Sequence, residues 1–211
     1  MNAFIRVAVR LVYYLAYDMH FEGLENLPDK DHEGVIVASN HRSYADPVLL
    51  TMYMKRPMHY MAKEELFNNK LFGAFITGLG AFPVKRGAGD MQVINKSVEL
   101  LEKGHNVVIF PEGTRSKENK VLRGKTGVAL IAAMSGADVL PVGICFEGTK
   151  LHFRTKLTIR YGKIIPHEEI AVSEERNPRE LRRAKERIMS AIKVLVEGEA
   201  PEDSSETGEE T

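Results

Sequence analysis

Short apolar runs alternating with stretches of helical periodicity constrain this 211-residue chain more than any other feature. GVIVAS (34–39), MHYMA (58–62), GAFPV (80–84), NVVIF (106–110), ADVLPVGI (137–144) and KLTIRYG (156–162) each have the length of a buried strand and are bounded by turn-forming residues. Between them lie helical readings: one entered at Asp46-Pro47, then 65–80, 90–104 ended by Gly104, and 127–136. Strands that are apolar on both sides need cover on both sides. The pattern predicts an α/β fold, a mixed and largely parallel sheet with helices on both faces. Pro141 inside the 137–144 run predicts an edge position or a bulge, because proline cannot donate to a ladder.

Both ends of the chain differ from this middle. Residues 2–19 read as an N-terminal amphipathic helix with Arg6 and Arg10 four apart on one face and an otherwise apolar surface. Two readings stay open for it: a membrane interface, with Tyr13, Tyr14 and Tyr17 at headgroup level, or packing on its own domain. At the other end Asn177, Pro178 and Glu180 predict a capping box, followed by the stripe Leu181, Ala184, Ile188, Ile192 and Leu195. Six acids and no Lys or Arg occupy 199–211, a composition that predicts disorder. The expected organisation is an interface helix at 1–20, one domain at 21–197 and an acidic tail at 198–211.

Formal net charge is zero, but setting the tail aside leaves 29 basic and 23 acidic residues. A body near +6 fits a phosphorylated ligand or an anionic surface without requiring either. The single cysteine, Cys145, excludes an intrachain disulfide, fits a reducing compartment and reads as a buried structural thiol. No run of about 18 apolar residues predicts a spanning helix, and the N-terminus does not read as a signal peptide.

Three predicted strand ends carry more polar chemistry than a turn needs. Asn40-His41-Arg42-Ser43-Tyr44-Ala45-Asp46-Pro47 follows the first strand. Five residues apart on one continuous helix, His41 and Asp46 would diverge by about 140°. They meet only with His41 in a loop and Asp46 at the helix entrance. The carboxylate then accepts from Nδ1–H and leaves Nε2 free as a base. Read alone, the segment equally fits a loop histidine followed by a helix cap. Phe110-Pro111-Glu112-Gly113-Thr114-Arg115-Ser116 follows another strand, and Arg115 offers a planar fork suited to phosphate. Gly80 through Gly87 ends in Lys85 and Arg86, with Lys63 and Lys125 adding to the cationic set.

Competing chemistries fit less well. Arg123-Gly124-Lys125-Thr126-Gly127 lacks the glycine a nucleotide phosphate loop needs five residues before its Gly-Lys-Thr, where Asn119 stands before Lys120. The seven histidines show no metal-ligand spacing, and no Gly-x-Ser-x-Gly elbow is present.

Asn40-His41-x-x-x-x-Asp46, Gly80 through Arg86, the complete Phe110 to Ser116, Lys125-x-Gly127 and Leu140-Pro141-Val142 occur in this order. Together they resemble the motifs of the glycerolipid acyltransferases, specifically the 1-acyl-sn-glycerol-3-phosphate acyltransferases, over about residues 20–165. The resemblance implies a single-step acyl transfer in phospholipid biosynthesis, from acyl-CoA or acyl carrier protein to the 2-hydroxyl of 1-acylglycerol 3-phosphate. His41 and Asp46 would be catalytic. Arg86 and Arg115 would clamp the acceptor phosphate, supported by Lys63 and Lys125, while Glu112, Gly113 and Thr114 shape the acceptor pocket. It implies no metal and no cofactor beyond the donor, and a peripheral or monotopic place on the cytoplasmic face of the cell membrane. Another lysophospholipid or hydroxylated lipid as acceptor, a non-catalytic lipid-phosphate binder and a hydrolase are the alternatives. Family members commonly carry a longer hydrophobic region before the first motif than the roughly 20 residues present here.

Overall fold

A computed structural model describes residues 3–84 and 90–198. Arg86 and the acidic tail therefore lie outside the described residues. Seven strands form one sheet in the order β1-β7-β6-β2-β5-β3-β4. In chain order they are β1 (Asp18–Glu22), β2 (Ile36–Ser39), β3 (Met58–Lys63), β4 (Ala81–Val84), β5 (Asn106–Ile109), β6 (Val139–Phe146) and β7 (Lys156–Tyr161). The five strands from β6 to β4 are mutually parallel, so their carboxyl ends share one edge. β7 runs antiparallel to β6, and β1 is parallel to β7.

The strand period of two sorts the core into two layers. Val37 of β2 and Val108 of β5 face one cluster, joined by Leu49 and Leu50 of α2 (Asp46–Thr51) and by Ile76 of α3 (Lys70–Gly78). Ile36, Ala38, Val107 and Ile109 face the other. That second layer is closed by α4 (Asp90–Glu102), α5 (Gly127–Ser135) and α6 (Pro178–Glu197), the last through Ala184, Ile188 and Ile192. Burying each large aliphatic side chain contributes roughly 1.5–3 kcal/mol. The largely parallel sheet covered on both faces is as the alternation predicts.

Several local expectations are corrected. The first helix, α1 (Ala3–Ala16), stops short of residue 19. Asp18–Glu22 is instead the edge strand β1, which crosses the expected boundary at residue 20. Only Met19 of this strand is buried, so its alternation is short and continues the apolar spacing of the helix before it. Gly23, which ends β1, has φ +72°, and a Cβ there would fall 2.0 Å from the Tyr161 carbonyl oxygen, so no other residue fits. The helix expected over 65–80 is divided. A 3-10 turn covers Glu64–Phe67, and α3 begins after Asn69, whose side chain accepts from the Leu71 and Phe72 N–H groups.

Pro141 is interior, paired with Ala38 of β2. Its carbonyl accepts from Gly162 N–H, which places its missing donor on the β7 side, just past the end of that strand. Val139 then bridges Ile165, so Lys163 and Ile164 together stand opposite Leu140. The bulge belongs to the partner segment. Asn177 does cap α6, accepting from Arg179 N–H, but Glu180 bonds Ser173 and closes no capping box. Cys145 is half-buried, its Sγ 3.6 Å from the Val196 carbonyl oxygen, and burial pushes the thiol pKa up.

One face of α1 packs on the domain. Val9, Tyr13 and Tyr17 join the first core layer, the Tyr14 hydroxyl lies 2.6 Å from that of Tyr53, and Arg10 stacks over the Tyr53 ring at 4.2 Å. Its other face leaves Val7, Leu11, Val12 and Leu15 about 60% exposed. On the same side of the sheet α3 exposes Leu71 (84%), Phe72 and Phe75. Among the described residues no helix is long and apolar enough to cross a membrane.

Candidate active site

The site grows from the place where β2 stops. Its pairing with β6 ends at Ser39 and Val142. There the side chain of Asn40 takes over from the ladder: Nδ2 donates to the Ile144 carbonyl at 2.9 Å, and Oδ1 accepts from Ile144 N–H at 2.7 Å. With β6 satisfied by a side chain, the main chain is free to turn at His41. Arg42 secures the turn. Its guanidinium donates to the carbonyls of Phe146 (3.0 Å), Lys117 (3.1 Å) and Gly148 (2.6 Å) and to Asn119 Oδ1, while stacking on the Phe146 ring. It is 4% exposed, so removing it leaves the buried Phe146 carbonyl without its partner and unties three further acceptors.

Within this frame His41 lies in the loop and Asp46 is the first residue of α2, with Pro47 behind it. His41 Nδ1 is 2.8 Å from Asp46 Oδ2. Asp46 does not cap the helix, whose N-cap is Ala45. The same Oδ2 accepts from the N–H groups of Arg42 (2.6 Å) and Ser43 (2.8 Å), and the residue is fully buried. The carboxylate thus holds both the loop backbone and the ring. An ionised Asp46 accepts from Nδ1–H, which assigns the lone pair to Nε2. Phe110 stacks on the imidazole with centroids 4.1 Å apart, fixing its plane.

β5 delivers the second segment beside the first. Ser116 N–H donates to the His41 carbonyl at 2.7 Å, and His41 N–H to Glu112 Oε1 at 3.3 Å. Glu112 is buried, and its Oε2 has no hydrogen-bond partner among the described residues. Burial pushes its carboxyl up to about 7, against the lowering effect of the His41 and Leu122 backbone N–H groups. It is turned toward the His41 loop rather than toward solvent. Gly113 turns with φ +65°, and a Cβ there would meet Lys125 Cε and Nζ at 3.2 Å. Thr114, Arg115 and Lys125 are exposed. Arg115 lies over the Tyr44 ring, its guanidinium carbon 3.7 Å from the centroid, and donates to its hydroxyl at 3.0 Å, with no carboxylate partner among the described residues.

The structure therefore brings together His41, Asp46, Glu112, Gly113 and Lys125, with Arg115 tied to the same loop through Tyr44. Lys63 ends β3 on the same sheet edge, two strands from β2, opposite Val84, the last residue of β4. Tyr44, Arg42 and Asn119 are structural members of the site that the sequence reading gave no role. Arg42 and Tyr44 stand inside the first motif, but their partners lie 71 to 106 residues away and leave no local signal.

A family model described as Acyltransferase matches residues 18–145. The chain belongs to this acyltransferase family. The acyltransferase is 35% identical over 142 residues to the 1-acyl-sn-glycerol-3-phosphate acyltransferase of Bacillus subtilis, covering 67% of this chain and 69% of that one. It is 32% identical over 153 residues to the chloroplastic 1-acyl-sn-glycerol-3-phosphate acyltransferase LPAT1 of Arabidopsis thaliana, covering 72% of this chain and 42% of the relative. The chain thus spans less than half of the plant protein. Its fold is similar to the crystal structure of the 1-acyl-sn-glycerophosphate acyltransferase PlsC of Thermotoga maritima, with TM-score 0.69 and 27% identity over 91% of this chain and 80% of that one.

Proposed function

We propose that this acyltransferase moves a fatty-acyl group from a thioester donor, acyl-CoA or acyl carrier protein, to the 2-hydroxyl of 1-acyl-sn-glycerol 3-phosphate, yielding phosphatidate. The observation that carries the reading is the 2.8 Å His41–Asp46 pair on a loop held by Asp46 and Arg42, beside the Arg115 guanidinium, which has no acid partner among the described residues. The relatives named for this reaction support the acceptor. Nε2 takes the proton of the 2-hydroxyl as its oxygen attacks the thioester carbonyl. The tetrahedral intermediate collapses, and the leaving thiolate takes the proton back from the imidazolium that Asp46 stabilises. Such acid–base placement contributes ~10²–10⁴-fold. Arg115 and Arg86 hold the acceptor phosphate, with Lys63 and Lys125 as further cations, and Gly113 and Thr114 line the acceptor side.

The acceptor is a lipid, and the exposed apolar faces of α1 and α3 lie on one side of the sheet. We assign that side to the membrane interface as a peripheral or monotopic contact on the cytoplasmic face. Flotation with anionic vesicles tests it: Leu11→Glu/Leu15→Glu, both on the free face of α1, should stay in solution, and undiminished flotation would refute the assignment.

The reaction itself is tested by product analysis with radiolabelled acyl-CoA and an acceptor panel. Labelled phosphatidate should form from lysophosphatidate, and much less product from 1-acylglycerol. Equal rates on the two acceptors would remove the phosphate clamp, and free fatty acid without any acceptor would make the protein a hydrolase.

A further inference from the structure

Behind the segment that carries Glu112 lies a concavity of about 500 Å³, between residues 120–124 and α6. Its lining includes Lys120, Arg123, Lys185 and Lys193 with only two acids, Glu186 and Glu197. Both acids are already engaged. Glu197 accepts from Val121 N–H at 2.8 Å and lies 3.7 Å from Lys193, and Glu186 lies 3.7 Å from Lys185. Lys120 and Arg123 have no carboxylate partner among the described residues. The groove therefore carries an excess of positive charge beside an apolar floor of Val121, Leu122 and Met189.

Its position gives that charge a use. Leu122 lines the groove, and its backbone N–H lies near enough to Glu112 to lower that carboxyl's pKa, while Glu112 in turn holds His41 N–H. One stretch of chain thus separates the groove from the catalytic loop. It belongs to the face closed by α4, α5 and α6, opposite the apolar faces of α1 and α3. With the membrane on the α1 side, an anion entering here comes from solution rather than from a lipid surface. A concavity of this size accepts a small molecule rather than a folded protein domain.

We propose that this groove holds the phosphate-bearing nucleotide end of a coenzyme A thioester donor, with the cations on its phosphates and the acyl-bearing arm passing to His41. The inference rests on the acyl-transfer reading above and names the donor for it. The probe for the groove alone is 3′,5′-ADP, titrated calorimetrically into the full chain. The variant is Lys120→Gln/Arg123→Gln, which removes two exposed charges and breaks no protein–protein bond among the described residues.

The wild type should bind 3′,5′-ADP and the variant at least tenfold more weakly, following the strength of charge-assisted phosphate contacts. KM for acyl-CoA should rise about as much. KM for lysophosphatidate, and the rate with the same acyl group on N-acetylcysteamine, which lacks the nucleotide, should not change. No binding of 3′,5′-ADP, an unchanged KM for acyl-CoA, or an equal loss on both thioesters would overturn the proposal. So would an effect confined to acyl carrier protein, or one that disappears in a chain ending at Gly198, which would give the groove to the acidic tail. Failure of the acyl-transfer reading looks different: the wild type then makes no phosphatidate from either thioester, whatever the titration shows.

Discussion

The ends of β2 and β5 lie side by side on one sheet edge and are finished in opposite ways. After β2 the polar side chains are consumed by the protein: Asn40 replaces a ladder, Arg42 ties down four acceptors, and Asp46 holds two N–H groups and a ring. After β5, Thr114, Arg115 and Lys125 remain exposed, and Arg115 rests on an aromatic ring instead of an acid. A base acts from one fixed geometry, because a small misplacement costs rate steeply. A cation meant for a ligand must keep its donors unspent, since an internal carboxylate would compete for them. The contrast separates machinery that orients from machinery that binds.

The sharpest way to break this contrast is at Arg42. Removing it breaks four charge-assisted hydrogen bonds, worth about 1.5–3 kcal/mol each, so Arg42→Ala should lower stability by more than any one of them, read as a fall in denaturant midpoint. Arg42→Lys, which keeps the charge but not the fork, should fold better while kcat stays low at unchanged acceptor KM. A lysine variant with full kcat would show that the loop needs no such anchor.

On the β5 side the effect should fall on binding. Arg115→Ala loses charged phosphate contacts of about 1.5–3 kcal/mol. KM for lysophosphatidate should rise by roughly ten- to a hundredfold, with little change in stability or in the rate on a phosphate-free acceptor. Tyr44→Ala should give a smaller shift in the same direction, because it releases the guanidinium without removing it. A loss of kcat at constant KM in either variant would place Arg115 with the orienting residues.

A further test lies at Glu112, which bridges the two ends. Its carboxyl is raised from 4.5 to about 7, so between those values the folded state holds a proton that the unfolded state has lost. Its contribution is therefore fully present below about 4.5 and is lost as pH rises through about 7. Glu112→Gln removes this dependence, so its melting temperature relative to wild type should climb across that interval. A difference that stays flat with pH would mean the carboxyl is ionised throughout.

How much of this could be read from sequence follows from the range of each interaction. The parallel sheet and its two covers were legible because strand burial is written into local runs such as 34–39 and 106–110. The His41–Asp46 geometry was legible because a five-residue spacing and Pro47 leave few ways to bring the pair together. Arg42 was not, since its acceptors come from segments that only the fold assembles. Nor was the burial of Glu112, which the resemblance gives only as shaping the acceptor pocket, since its cover comes from the neighbouring loop. β1 was masked because Met19 and Phe21 continue a helical spacing as well as they alternate in a strand. The proline rule missed at Pro141 because it assumes a ladder on both sides, whereas β7 stops one residue too early to need the donor.

The base assignment at the end of β2 is tested most directly by phosphatidate formation from labelled acyl-CoA and lysophosphatidate in His41→Ala, with folding checked by its denaturation curve. Asp46 has other N–H partners, so the loop should hold and the protein should remain folded. Turnover should fall by at least ~10²–10⁴-fold, with little change in binding of the acceptor. A folded His41→Ala protein that turns over at the wild-type rate would contradict the assignment of His41 as the base.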